Sequence, residues 1–349
     1  MKIHILAASI VFGLVSLSSV QAADAPPKTD PSMQKVLDAL ASLNGKPIEI
    51  LTPEEARKQP TPADAVMKVL KDGGKSTAPD AAVTVKDITI PGPLGDIPAH
   101  VYTPMGPGPF PVAVYFHGGG FVIADTKVYD ASPRALAKGA KAIVISVDYH
   151  RAPENKFPAA PDDAYAAFNW VLVHAKEFNG IPNNVAVAGE SAGGNLATVV
   201  SMMARDKKTT LPVFELLVYP VVDNDFDAPS YKQNANAKPL NVAMMKWFFK
   251  YYATDADASN PYALPIKATS LRGLPPAAVI AAEIDPLRSE GKAYADRLKK
   301  DGVVVSYQEY TGVTHEFFGM GAVVPKAKQA EDFAVDALKK AFALQKQGR

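Results

Sequence analysis

The chain has 349 residues, with 37 Lys and Arg against 36 Asp and Glu, a formal net charge of +1 and no cysteine. The balanced charge argues against nucleic acid or another polyanion as a partner, and the lack of thiols excludes a cysteine nucleophile, thiolate metal sites, disulfides and lipid attachment through an N-terminal cysteine. With 48% hydrophobic and 21% charged residues, the composition is that of a chain able to bury a sizeable core.

Residues 1–22 read as a secretory signal peptide. Lys2 supplies a positive start, Ile5 to Val20 are apolar or small, and Val20-Gln21-Ala22 offers a small-residue cleavage site. The apolar run is shorter than the roughly 20 residues of a bilayer span. The chain is therefore expected to be exported, periplasmic or secreted, with no stable membrane anchor after signal removal. Residues 33–43 show helical periodicity, and a single helix is expected over 52–70, opening at Thr52-Pro53-Glu54-Glu55. Residues 23–80 are expected to form N-terminal cap helices.

From Val83 the pattern changes. Val83–Ile90 alternates as a half-buried strand does, Pro91–Asp96 is a turn, and Ile97–Tyr102 reads as the antiparallel partner. Six apolar runs follow: 112–116, 142–147, 185–188, 214–219, 277–281 and 303–308. Helical stretches at 132–138, 161–177, 195–205, 286–300 and 326–344 lie between and after them. Continuous apolar strands alternating with helices predict an α/β fold: an eight-stranded, mostly parallel sheet covered by helices. The core is expected to occupy 81–222 and 269–349. Residues 223–268 interrupt the rhythm with an aromatic helix, Val242–Tyr252, and are expected to cap the sheet edge at which such folds bind ligands.

Gly189-Glu190-Ser191-Ala192-Gly193 fits Gly-x-Ser-x-Gly between an apolar run and a helical stretch. That is the strand, sharp turn and helix setting of a nucleophile elbow. A serine hydroxyl needs a base. Of six histidines, only His315 follows the last strand, as the order nucleophile, acid, histidine requires. Glu283, Asp285 and Glu290 are candidates for the acid. Asp285 is preferred because it stands where strand gives way to loop, and Pro286 suits the first position of the next helix. Glu283 is expected to stabilise the local loop. His117-Gly118-Gly119-Gly120-Phe121 follows the third strand, where backbone N–H groups form an oxyanion hole. Gly119 and Gly120, with Ala192, are the expected donors, and Gly118 is a further candidate. Phe121, Glu190, Trp247, Phe248, Glu316 and Phe317 are candidates for lining a substrate pocket. No His-Glu-x-x-His or comparable spacing calls for a metal, and the mechanism needs no cofactor.

These motifs resemble those of the hormone-sensitive-lipase-like esterases, bacterial family IV of the α/β-hydrolase fold. The resemblance rests on His117–Phe121, Asp148–Glu154, Phe157–Ala160 with Asp162-Asp163, Gly189–Gly194 and Asp285–Arg288, and covers roughly residues 80–345. It implies a cap built from the N-terminal helices and the insertion, and short- to medium-chain acyl esters as small-molecule substrates. Two positions depart from the family pattern. Glu190 stands where Asp is common. Glu316 stands where Gly is common, and is expected to alter the pocket rim or bond the cap. An amidase or lactonase on the same residues, or a ligand-binding relative, stays open at this level, as does assembly into homo-oligomers.

Overall fold

Three short helices open residues 27–347, the part described by a computed structural model of the protein. The signal-peptide reading of residues 1–22 lies outside the described residues. Helix α1 (Pro31–Ser42) starts where the Asp30 side chain accepts the Ser32 N–H at 2.9 Å. The stretch expected as one helix over 52–70 is two, α2 (Pro53–Ala56) and α3 (Pro62–Asp72). Pro60 and Pro62 cause the break, because proline lacks an N–H and disfavours helical backbone before it. Thr52 and Thr61 each start a new helix with a capping box, closed by Glu55 and Asp64.

The eight expected strands are present: β1 (Val83–Gly92), β2 (Gly95–Pro104), β3 (Phe110–Phe116), β4 (Ile143–Val147), β5 (Gly180–Glu190), β6 (Glu215–Val218), β7 (Ala277–Ile284) and β8 (Val305–Thr314). They form one sheet in the order β1-β2-β4-β3-β5-β6-β7-β8. The β1–β2 hairpin pairs antiparallel and joins β4 antiparallel, and every other pairing is parallel. Seven further helices follow β3: α4 (Ala131–Ala140), α5 (Ala159–His174), α6 (Ala192–Asp206), α7 (Pro229–Gln233), α8 (Val242–Tyr252), α9 (Arg288–Lys300) and α10 (Pro325–Gln347).

The period-two alternation of a strand splits the core into two layers. Val112, Val114 and Phe116 of β3 join Phe168 of α5, Leu196 and Val200 of α6 and Leu298 of α9. Ala113 and Tyr115 join Met33 of α1, Leu136 of α4 and Leu338 of α10 on the opposite face. With both faces covered, central strands lose the polar alternation that β1 retains. This topology brings the C-terminal ends of β3, β5, β6, β7 and β8 to one edge of the sheet. Helix α9 begins at Arg288 and not at Pro286, because Asp285 Oδ1 accepts the Leu287 N–H at 2.9 Å and holds Pro286-Leu287 in a turn.

Glu215 is one of several buried carboxyls expected to make stability depend on pH. It opens β6 fully buried beside Thr198 and Ser201 of α6. Burial pushes its pKa up to about 8. Between about pH 4.5 and 8 the folded chain holds a proton that the unfolded chain has lost, so the contribution is full below 4.5 and falls as pH rises. Glu215→Gln is expected to flatten that fall by a few kcal/mol, on the order of one pKa unit per 1.4 kcal/mol. Urea midpoints at pH 5 and pH 8 check this. An unchanged difference between the two midpoints would place the pH dependence elsewhere, on Glu190, Glu290 or Glu331, which burial also raises.

Candidate active site

Strand β5 runs into α6 through a single residue. Ser191 takes φ 57° and ψ −117° at the tip of that turn, and α6 begins at Ala192. Its N–H donates to Val218 O at 2.9 Å, and its carbonyl accepts from Val221 N at 3.1 Å. The turn is tight enough to need glycine on both sides. A Cβ on Gly189 would overlap the Gly193 carbonyl, and one on Gly193 would overlap the Phe116 carbonyl and approach His117 O to 2.6 Å. Asn195 locks the turn from within α6, donating to Val221 O at 2.9 Å and Ala263 O at 3.0 Å.

The three residues expected to act together do meet. His315 Nε2 lies 3.0 Å from Ser191 Oγ, and its Nδ1 lies 2.7 Å from Asp285 Oδ2. All three are buried, Ser191 at 5% exposure. Burial opposes a charge on His315, but the charge and hydrogen bond of Asp285 outweigh it. With Glu316 and Glu190 beyond, the ring's pKa is held above the ordinary imidazole value. The other two acid candidates have structural places. Glu283 Oε2 accepts the Gly312 N–H at 2.6 Å, which steadies the end of β8 before His315. Glu290 accepts the N–H groups of Val222 and Asp223 and the Tyr231 hydroxyl, which fixes the loop after β6. The acid loop is braced from α7, where Ser230 Oγ donates to Pro286 O at 2.5 Å and, just beyond, Asn234 Nδ2 donates to Asp285 O at 3.1 Å.

The glycine loop after β3 has Gly119 at φ 96° and Gly120 at φ 58°, a backbone that L side chains rarely adopt. Several carbonyls of this segment are held by donors from elsewhere in the fold. Tyr149 Oη donates to His117 O at 2.9 Å, Ala152 N to Phe121 O at 2.9 Å, and Arg57 Nε to Val122 O at 2.8 Å. Arg57 also forms a bidentate pair with Glu154, at 2.8 and 2.7 Å. Among the described residues, no backbone or side-chain acceptor takes the N–H of Gly119 or Gly120. The Ala192 N–H stands at the first position of α6, where no intrahelical acceptor exists. Among the described residues these three N–H groups are therefore left without a protein acceptor.

The pocket candidates separate. Phe248 of α8 packs its ring directly against Gly120, and Phe121 stacks on Tyr252 at 3.7 Å between ring centroids. Trp247 turns toward the N-terminal segment, its Nε1 donating to Leu51 O at 3.0 Å. Glu190 does not line a pocket. It points into the core, fully buried, and accepts hydrogen bonds from Tyr115 Oη at 2.5 Å and from Tyr219 Oη. Burial pushes its pKa up to about 7. Phe317 is likewise core, fully buried against Tyr219 and Tyr310, because the backbone reverses direction after His315. Glu316 bonds neither α8 nor the N-terminal helices. Its Oε1 accepts from Tyr129 Oη at 2.5 Å. Tyr129, Tyr219 and Arg57 carry no local signal in the sequence, since each acts through partners distant along the chain.

A family model of the α/β hydrolase fold matches residues 113–319. The chain belongs to this family. The resemblance to hormone-sensitive-lipase-like esterases read from the motifs is thereby borne out. Among curated relatives, Esterase LipI of Mycobacterium tuberculosis is 38% identical over 322 residues, covering 91% of this chain and 96% of the relative. An ethyl acetate hydrolase of Pseudomonas putida is 32% identical over 298 residues, covering 84% and 91%. Among solved structures, a thermostable esterase from Pseudomonas putida superposes with a TM-score of 0.82 at 38% identity, covering 92% of this chain and 99% of that one. The hyperthermophilic esterase of Pyrobaculum calidifontis gives 0.81 at 36%, covering 90% and 98%.

Proposed function

We propose that this carboxylic ester hydrolase works through a serine acyl-enzyme, with Ser191 as nucleophile, His315 as base and Asp285 as the acid that orients the ring. The observation that carries the reading is the continuous chain Ser191 Oγ, His315 Nε2 and Nδ1, Asp285 Oδ2, at 3.0 and 2.7 Å. His315 takes the Ser191 proton as Oγ adds to the ester carbonyl. The N–H groups of Gly119, Gly120 and Ala192 then hold the oxyanion, a stabilisation worth about 3 kcal/mol per donor. The same histidine returns the proton to the leaving alcohol, and water repeats the sequence to free the acid.

Helix α8 and the N-terminal helices form a cap over this edge in the same reading. Its support is the Phe248 ring against Gly120 and the Trp247 bond to Leu51. An aromatic wall that close to the oxyanion loop favours short- to medium-chain acyl groups. Export from the cytoplasm is part of the proposal and is supported by the pattern of residues 1–22. No helix among the described residues is long and apolar enough to cross a membrane.

A p-nitrophenyl ester series from acetate to palmitate tests the substrate class. Turnover is expected to be highest from acetate to octanoate and to fall steeply beyond. A maximum at palmitate would overturn the chain-length reading, and turnover of a matched amide above the ester would shift the activity to amides. Catalysis needs neutral His315, so kcat should climb with pH through a midpoint above the ordinary imidazole value, following the raised pKa. A flat profile across that range would remove His315 as the base.

A further inference from the structure

Glu316 follows His315 directly at φ 68°, in the left-handed region that glycine adopts freely and a glutamate does not. Such a conformation persists where the surroundings over-determine it, often at functional sites. The surroundings here are specific. The side chain is only 19% exposed, and its Oε1 lies 3.8 Å from His315 Nε2, on the side of the ring that faces Ser191. The same oxygen accepts the Tyr129 hydroxyl at 2.5 Å. Tyr129 in turn sits hard against the oxyanion loop, its Cζ 2.9 Å from where a Cβ on Gly118 would stand. One carboxylate therefore bridges the histidine and the glycine loop.

We infer that Glu316 is a positioning residue for acyl transfer: clamped by Tyr129, its carboxylate supports the imidazolium of His315 from the Nε2 side while Asp285 holds Nδ1. The inference rests on the triad reading above. In each transfer the proton moves from Ser191 Oγ to Nε2 while the Oγ electron pair forms the bond to the acyl carbon. Glu316 gains no proton and forms no bond. It stabilises the positive charge that appears on the ring, as an opposite charge within 4–6 Å does. The charged and titratable groups around Glu316 and His315 are Asp285 beyond β7, Glu190 at the end of β5 with Tyr115 and Tyr219, His117 after β3, and Tyr129. Among the carboxylates in that set, Asp285 is committed to Nδ1 and Glu190 to two tyrosines, which leaves Glu316 to face Nε2.

Glu316→Gln keeps the shape and an acceptor for Tyr129 but removes the charge. With p-nitrophenyl acetate, kcat is expected to fall roughly three- to tenfold with KM little changed. The midpoint of the acid limb of kcat should move down by about one pH unit, because the ring then gives up its proton more readily. Glu316→Gly also relieves the backbone and should show the same downward shift, so a folding defect in the Gln variant leaves the test intact. A drop in kcat with the acid limb in place would mean a packing role only and would overturn the inference. Ser191→Ala is measured alongside. If it retains activity, the triad reading fails and this inference with it. If it is inactive while Glu316→Gln matches the unaltered enzyme in kcat and pH midpoint, only the role of Glu316 fails.

Discussion

Ser191→Ala is expected to lower kcat on p-nitrophenyl acetate by roughly 10⁴- to 10⁶-fold, the loss seen when the nucleophile of such a unit is removed. The fold should survive. The turn is held by backbone bonds from Ser191 to Val218 and Val221 and by the Asn195 side chain, none of which uses Oγ. His315→Ala should cost a similar factor, and the double variant little more, because the two residues act on one proton. Stopped-flow mixing should show a burst of nitrophenol in the unaltered enzyme if acylation outruns deacylation, and none in Ser191→Ala. Full activity in Ser191→Ala would refute the assignment of the nucleophile.

The second large effect is expected at Gly193. A Cβ there would overlap the Phe116 carbonyl, and Phe116 cannot move aside because it pairs with Val147 on one side and Gly189 on the other. Gly193→Ala must therefore shift the serine turn itself. Overpacking of this kind costs about 1–3 kcal/mol or more, which for a domain of this size lowers Tm by several degrees, at about 2–4 °C per kcal/mol. Displacing the nucleophile by about 1 Å should cost a further 10²-fold in kcat. Gly291→Ala is the contrasting case. Gly291 sits inside α9, and among the described residues beyond its chain neighbours and its own helix backbone the atom nearest its Cβ position is Pro220 Cδ at 3.7 Å, so the change is expected to leave activity intact and raise stability by up to about 1 kcal/mol. Equal Tm values for Gly193→Ala and the unaltered chain would show that the elbow has room it is not seen to have.

Much of this protein is written in local patterns. Period-two alternation marked β1 and β2, and unbroken apolar runs marked the buried parallel strands, because a strand covered on both faces has no polar side to show. The glycines around Ser191 and at 118–120 were legible for a steric reason: close backbone approach admits no Cβ. Chain order alone selected His315, and the strand-to-loop position selected Asp285, the residues now found 3.0 and 2.7 Å along one hydrogen-bonded chain. Helix boundaries were less legible. The break between α2 and α3 turned on Pro60 and Pro62 outweighing an otherwise continuous helical pattern.

Only the tertiary structure decided which way side chains at the site face. Glu190 adjoins the nucleophile in sequence yet points into the core at Tyr115 and Tyr219, since alternate residues of β5 face opposite layers. Phe317 follows the histidine by two residues, beyond the end of β8, and is core because the chain turns at His315-Glu316. Glu316, set at φ 68°, turns back to Tyr129, a partner 187 residues away. Strand period, glycine sterics and proline chemistry act over a few residues and so appear in the sequence. Partnerships such as Glu316 with Tyr129, Arg57 with Glu154 and Asn234 with the Asp285 carbonyl exist only once the sheet order brings distant segments together.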